Sequence, residues 1–254
     1  MNKETVLITG ATSGIGKAAA YKLAQHYNLI LCGRRKDRLE NLKASLAQTT
    51  DVHLLNFDIR DRKACHQAVS QLPEAFAKID VLINNAGNAH GLSLMQDADI
   101  DDWDQMIDIN VKGLLYISQP IMKQMEQNDH GHIINIGSIA GQDVYPKGNV
   151  YCATKHAVIA LTKSMRYDLH DTNVKVGVIN PGLVETEFSE VRFKGDKERA
   201  SQTYQGYKAL EAKDIANSIF YMLQQPEHVN ISEMTVLPSA QSGRGLLRKS
   251  DVLN

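Results

Sequence analysis

Two stretches of the chain carry residue types at spacings that can do chemistry. The first is Thr9-Gly10-Ala11-Thr12-Ser13-Gly14-Ile15-Gly16, which follows the apolar run Val6-Leu7-Ile8 and precedes a helical pattern. Glycine lets a backbone turn tightly and approach a ligand with no Cβ in the way. The helix start beyond it offers free amides and a partial positive charge, which suit a pyrophosphate. An apolar run, a glycine-rich turn and a helix in that order predict a dinucleotide cradle, with Gly10, Thr12, Ser13, Gly14, Ile15 and Gly16 beside the ligand. No Lys-Ser or Lys-Thr follows the glycines, which excludes a nucleoside triphosphatase loop. The second stretch is Tyr151-Cys152-Ala153-Thr154-Lys155. Residues four apart on a helix share a face, so the phenol and the ammonium point into one space.

The expected cofactor follows from the end of the second strand. A site for NAD places a carboxylate there for the ribose 2′-hydroxyl. This chain has Cys32-Gly33-Arg34-Arg35 instead. Two guanidiniums would grip a 2′-phosphate through charge-assisted hydrogen bonds. At roughly 1.5–3 kcal/mol per such bond, each favours NADP over NAD by about ten- to a hundredfold. The competing role for Arg34 and Arg35 is solvated charge capping a loop.

The elements that must position these groups read as strand and helix in alternation. Short apolar runs predict strands at 6–9, 29–32, 52–57, 81–83, 133–136, 174–179 and 234–237. Apolar stripes predict helices at 16–27, 36–47, 62–72, 103–126, 151–169 and 214–224, the fourth disturbed near Pro120, which lacks an amide hydrogen. Alternation of this kind implies a parallel sheet with helices on both faces, whose strands read as unbroken apolar runs. The expected fold is α/β, a doubly wound Rossmann sheet of seven mostly parallel strands in a single domain spanning 1–254. Ligands bind beyond the carboxyl ends of such strands, where Ser138 should sit, with Asn110 inside the long helix before it. Only 183–210, rich in charge, interrupts the alternation, and a loop of that length is expected to be a functional lid. A tail is expected over 238–254.

Composition narrows the function classes. The chain has 254 residues, 43% hydrophobic and 22% charged, which is globular rather than disordered. Its 28 basic and 29 acidic side chains leave a net charge of -1, against broad binding to nucleic acid or an anionic membrane. Cys32, Cys65 and Cys152 form no CxxC pair, so no disulfide framework is expected. No apolar run approaches the roughly 18 residues of a membrane span. The expectation is a soluble, cytoplasmic protein. His90, His130, His132 and His156 have no metal-ligand spacing, so no metal is assigned, and His130 and His132 are expected at a loop and a strand edge.

Taken together, Thr9-Gly10-xxx-Gly14-x-Gly16, Asp58, Asn84-Asn85-Ala86-Gly87, Asn110, Ser138, Tyr151-xxx-Lys155 and Pro181-Gly182 resemble the short-chain dehydrogenase/reductase family in its compact branch. The resemblance runs from Thr9 to about Leu237 with no catalytic position substituted. It implies hydride transfer with NADP(H), Tyr151 acting as general acid and, in reverse, general base. A free phenol titrates near 10, and the resemblance implies that the Lys155 cation lowers this and that Lys155 holds the nicotinamide ribose. Ser138 would bond the substrate oxygen, and Asn110 would fix a water relaying protons from Lys155. Asp58 resembles the residue that bonds the adenine amino group, with helix N-capping as the competing role, and Ile59 follows it. Asn84 to Gly87 would stabilise the sheet centre, with Asn85, Ala86 and Gly87 along the cofactor. Pro181, Gly182, Val184 and Thr186 would fold over the nicotinamide.

The stretches from Pro181 to Phe188 and from Val191 to Asp196 resemble the NADP-dependent branch that acts on serine, allo-threonine and related 3-hydroxy acids. A small acid needs a cation for its carboxylate. Arg192 is the first candidate and Lys194 the second, with solvated lid charge as the alternative. Gln142 and Tyr145 are expected to line the pocket. The runner-up activity is a broad carbonyl reductase for uncharged ketones and aldehydes. A non-catalytic NADPH-binding protein on the same fold is the reading from another class. The two long helices pair between subunits in the family, which implies a homotetramer or homodimer.

Overall fold

The structure, a computed structural model, describes residues 3–243 and 245–249. The strand β1 (Thr5–Thr9) is buried throughout and is followed by α1 (Gly14–Leu23), β2 (Asn28–Gly33), α2 (Lys36–Leu46), β3 (Val52–Asn56) and α3 (Arg62–Ser70). The chain continues through β4 (Val81–Asn84), α4 (Ile100–Ile107), α5 (Leu114–Asn128), β5 (Gly131–Ile136), α6 (Asn149–Asp168) and β6 (Val174–Pro181). It then forms β7 (Val184–Glu185), α7 (Phe188–Arg192), α8 (Lys197–Gln202), β8 (Leu210–Glu211), α9 (Ala212–Leu223) and β9 (Glu233–Val236). Seven strands make one sheet in the order β3-β2-β1-β4-β5-β6-β9, and every pairing in it is parallel.

Alternation along each strand divides the core. Val6, Ile8, Leu29, Leu31, Val81 and Ile83 pack on one face beneath α1, α2 and α9. Leu7, Ile30, Leu82, Ile133 and Val176 pack on the other beneath α3, α5 and α6. Both faces are covered, which is why these strands carry unbroken apolar runs. The strand order reverses between β1 and β4, so the crevice between their carboxyl ends opens at that switch point. A buried polar chain crosses the sheet centre there. Asn84 Nδ2 donates to Ser118 Oγ and Asn135 Oδ1 at 2.8 Å each, and Asn135 Nδ2 donates to Thr162 Oγ1 at 2.8 Å. An unpaired amide at such depth would cost about 1–3 kcal/mol, so this chain holds β4 and β5 to the helices above them.

The helix expected over 103–126 is two helices joined by a π-helical turn, Asp108–Gly113. Pro120 lies inside α5, and the break falls before it. The polar Asn110 lies in this wide turn, buried, with its amide bonded to the Asn88 backbone and the Thr154 hydroxyl. The insertion 183–210 also holds structure that periodicity cannot reveal: β7 pairs with β8 in parallel around α7 and α8, elements too short to show a period. Within the expected tail, β10 (Gln241–Gly243) and β11 (Leu246–Leu247) pair antiparallel, while 244 and 250–254 lie outside the described residues. His132 is no strand-edge residue. It is buried in β5, between β4 and β6, and burial pushes its imidazole down to about 3.

Candidate active site

A crevice of about 500 Å³ lies at the switch point, lined by the glycine-rich turn, the ends of β2, β4, β5 and β6, and part of the insertion. Gly10, Thr12, Ser13, Gly14 and Ile15 form its floor. Ser13 is the N-cap of α1 yet makes no side-chain cap bond, so the first amides of α1 remain available to an anion. Gly14 has a φ of +50°, and a Cβ there would stand 3.4 Å from the Thr186 side chain, filling the gap between floor and insertion. This narrow cleft over exposed amides fits the pyrophosphate of a dinucleotide. Gly16 is buried and takes no part in the lining. It lets α1 pack closely on Gly10 and Asn85.

Arg34 and Arg35 both reach the crevice but are held differently. Arg34 is half-exposed and, among the described residues, bonds Asp58 alone, at 3.3 Å. Arg35 donates to Thr12 Oγ1 at 2.8 Å, to Ser13 Oγ at 2.7 Å and to Glu187 Oε2 at 2.9 Å. Asp58 also accepts from Arg60 at 2.7 Å. Burial pushes its carboxyl up, but the Arg60 hydrogen bonds and the charges of Arg60 and Arg34 outweigh this and hold it below the usual carboxylate range. The N-cap of α3 is Asp61, whose carboxylate accepts from Lys63 N and Ala64 N, so the capping role weighed for Asp58 belongs three residues later. Ile59, Ala86 and Gly87 line the crevice beside them. Asn85 lines it too, but its side-chain amide donates to Thr9 O at 2.9 Å and Gly10 O at 3.2 Å, pinning β4 to the turn. Pro181, Gly182, Val184 and Thr186 close the far wall.

The chemistry-bearing side chains meet at one end. Ser138, just beyond β5, accepts from Ala140 N at 3.1 Å through its hydroxyl oxygen, which leaves its own hydrogen to donate. Tyr151 and Lys155 stand one turn apart on α6, both buried and both in the crevice wall. Lys155 Nζ donates to Ile136 O at 2.9 Å, and burial pushes its ammonium down to about 8. Asn110 Nδ2 donates to Asn88 O at 2.9 Å and Thr154 Oγ1 at 3.1 Å, while Oδ1 accepts from Asn88 N at 2.9 Å. A Cβ on Gly87 would lie 2.9 Å from Asn110 Oδ1 and 3.7 Å from Lys155 Nζ, so the amide and the ammonium flank one point of the crevice.

Arg192 ends α7 and is 9% exposed. Its Nη2 donates to Tyr145 Oη at 2.7 Å, and its guanidinium lies 5.3 Å from the Tyr151 ring centroid. Among the described residues no carboxylate pairs with it. Lys194, the other candidate, is bound to Asp102 at 3.0 Å and Asp99 at 3.3 Å outside the crevice lining, so it has no free charge to offer an acid. Gln142 does not line the crevice. Its amide turns to the sheet edge and donates to Glu233 Oε1 at 2.7 Å and Thr235 Oγ1 at 2.9 Å, because β9 supplies polar partners there. Two residues that sequence reasoning left without a role do belong to the site. Phe188 packs against the Tyr151 ring in a tilted pair, centroids 5.7 Å apart, and Glu187 ties the insertion to Arg35. No local pattern marks either one. Glu4, Asp80 and His130 converge at the opposite end of the sheet, where Lys78 Nζ already holds Asp80 at 2.6 Å.

Known proteins resemble this chain over nearly its whole length. The NADP-dependent 3-hydroxy acid dehydrogenase YdfG of Escherichia coli (strain K12) is 43% identical over 95% of this chain and 97% of its own. A probable NADP-dependent dehydrogenase of Haemophilus influenzae is 44% identical over 97% of this chain and 98% of its own. The closed form of serine dehydrogenase complexed with NADP+ superposes with a TM-score of 0.92 at 42% identity, over 97% of this chain and all of that one. The family model for short chain dehydrogenase matches residues 4–197, the span that holds the glycine-rich turn, Asn110, Ser138, Tyr151 and Lys155. On that family match and on relatives 43–44% identical over nearly the whole chain, the chain belongs to the short-chain dehydrogenase family.

Proposed function

We propose that this chain is an NADP(H)-dependent oxidoreductase that interconverts a short 3-hydroxy acid and its 3-oxo partner. The observation that carries the substrate class is Arg192, a buried guanidinium facing the Tyr151 ring with no carboxylate partner among the described residues. A buried cation without a counter-ion is costly, and a substrate carboxylate supplies one in the planar geometry that arginine recognises. The names of the relatives support the same class. The exposed turn amides, Arg34 and Arg35 support NADP(H) as the cofactor.

The bound cofactor supplies the hydride. Tyr151 gives the proton to the carbonyl oxygen in reduction and takes it back in oxidation. Ser138 donates its remaining hydrogen to that same oxygen and stabilises charge developing there. Lys155 uses one N–H on Ile136 O and keeps two for the ribose side of the crevice, and its charge favours the ionised phenol. Both side-chain N–H groups of Asn110 are spent on protein, so a relay water would be held by an oxygen of Asn110 in the π turn. Arg192 holds the substrate carboxylate, with Tyr145 steadying the guanidinium. The whole chain works as one cofactor-binding domain with 183–210 as its lid. Pairing of copies through α5 and α6 is part of this reading, supported by Leu115 and Tyr167, 38% and 69% exposed. A cytoplasmic location is another part, supported by three free cysteines. Among the described residues no helix is long and apolar enough to cross a membrane.

Two substitutions test it. Arg192→Ala is expected to lower kcat/KM for oxidation of serine or 3-hydroxypropionate by about 10–100-fold, the worth of one charged hydrogen bond, and to spare an uncharged alcohol. A uniform loss across both would favour the broad carbonyl reductase. Replacing Arg34 and Arg35 together by Ala is expected to raise the KM for NADPH at least about tenfold more than that for NADH. An equal change for both cofactors would refute the 2′-phosphate assignment.

A further inference from the structure

Glu187 and Arg192 bracket α7: the first precedes Phe188 and the second ends the helix. At about 1.5 Å per residue, the two side chains are rooted within one short rigid piece of backbone. Glu187 accepts from Arg35 at 2.9 Å and from Arg38 at 2.7 and 2.9 Å. Arg35 is at the same time bonded to Thr12 and Ser13 of the turn. The carboxylate therefore occupies a guanidinium fork at the very place where the chain has its candidates for a 2′-phosphate. Carboxylate and phosphate compete for the same fork geometry. Burial pushes the Glu187 carboxyl up, but the Arg35 and Arg38 hydrogen bonds outweigh it and keep the group ionised.

We propose that Glu187 is a positioning residue that competes with the 2′-phosphate for Arg35 and, through its second hold on Arg38, keeps α7 and with it Arg192 seated whichever partner Arg35 takes. This rests on the reading of Arg34, Arg35 and Arg192 given above. When phosphate takes N–H groups of Arg35, Glu187 keeps Arg38, so α7 stays anchored and Arg192 stays over Tyr151. Arg38 is the reserve partner that prevents cofactor binding from releasing the lid.

The test is titration of the purified protein with NADP+ and NAD+, followed by ligand fluorescence or heat, alongside steady-state kinetics. The three groups are partly exposed, so effects of about two- to fivefold are expected. Glu187→Gln frees Arg35 and should tighten NADP+ by that factor, leave NAD+ unchanged, and raise the KM for 3-hydroxypropionate but not for an uncharged alcohol. Arg38→Met should do the opposite to NADP+, weakening it, because Glu187 then rests on Arg35 alone. In the Glu187→Gln background the Arg38→Met effect should vanish. Shifts of the same sign in the two single variants, no shift in either, or a persisting Arg38→Met effect in the double variant would overturn the proposal. Loss of the cofactor preference in the Arg34 and Arg35 double replacement is a separate result. If that preference were missing from the start, the reading beneath the proposal would fail first.

Discussion

Tyr151→Phe lowers turnover by about 10²–10⁴ in both directions and leaves NADPH binding close to that of the unaltered protein. The substitution removes one oxygen and keeps the ring. The ring keeps its tilted contact with Phe188 and its place beneath the Arg192 guanidinium, and α6 is seated by Val158, Thr162 and Met165, all buried. The cradle amides, Arg34 and Arg35 lie across the crevice and are untouched. The remaining donor is Ser138, whose hydroxyl can polarise a carbonyl but is a far weaker proton source than an ammonium-assisted phenol. Turnover measured with 3-hydroxypropionate and NADP+, beside a fluorescence titration with NADPH, separates the two effects. Near-normal turnover would remove Tyr151 from its role. Loss of NADPH binding in step with turnover would show that the phenol serves the cofactor rather than the proton.

The parts of this site that the sequence made legible are those encoded locally. The turn from Gly10 to Gly16 is contiguous, and Tyr151 and Lys155 are one helical turn apart, so type and spacing alone place them. The parallel strands announce themselves as apolar runs because both faces are covered. What stayed hidden depends on contacts between distant segments. Gln142 follows Ser138 closely enough to suggest the pocket, yet β9, some ninety residues onward, draws its amide to the sheet edge. Lys194 and Arg192 look interchangeable in sequence. Asp99 and Asp102, distant in sequence, neutralise the first, while among the described residues the second has no carboxylate partner. The π turn at Asn110 stays hidden because a single wide turn is too short to show a period of its own, while Pro120, a helix breaker by its chemistry, sits inside α5.

Lys155→Met separates stability from activity, because the group is costly to bury and needed in its charged form. The ammonium donates one hydrogen bond to Ile136 O and has no ion-pair partner among the described residues. Burial alone brings it from 10.5 to about 8. Below about 8 the proton is bound in folded and unfolded chains alike, and the folded chain carries the cost of the buried charge. Between about 8 and 10.5 the unfolded chain still binds that proton and the folded chain does not, so stability rises with pH through this window. At about 1.4 kcal/mol per pH unit, the full window is worth about 3 kcal/mol. Its upper part is masked by Cys32 and Cys65. Burial pushes both thiols well above the ordinary 9.0, Cys65 to about 12, so as the pH climbs through 9 the unfolded chain loses thiol protons that the folded chain keeps, which opposes the rise. Those thiols are already half-ionised in the unfolded chain at pH 9, so the clearest interval lies lower, at about pH 7.5 to 8.5. There the melting temperature of the cofactor-free protein is expected to rise, and the Met variant is expected to lack that rise and to melt higher than the unaltered chain at pH 7. Its turnover should nevertheless fall by about 10² or more, since the cation that favours the ionised phenol is gone, and the pH at which alcohol oxidation half-rises should move upward. A Met variant that melts no higher and turns over normally would mean that Lys155 is uncharged in the working site.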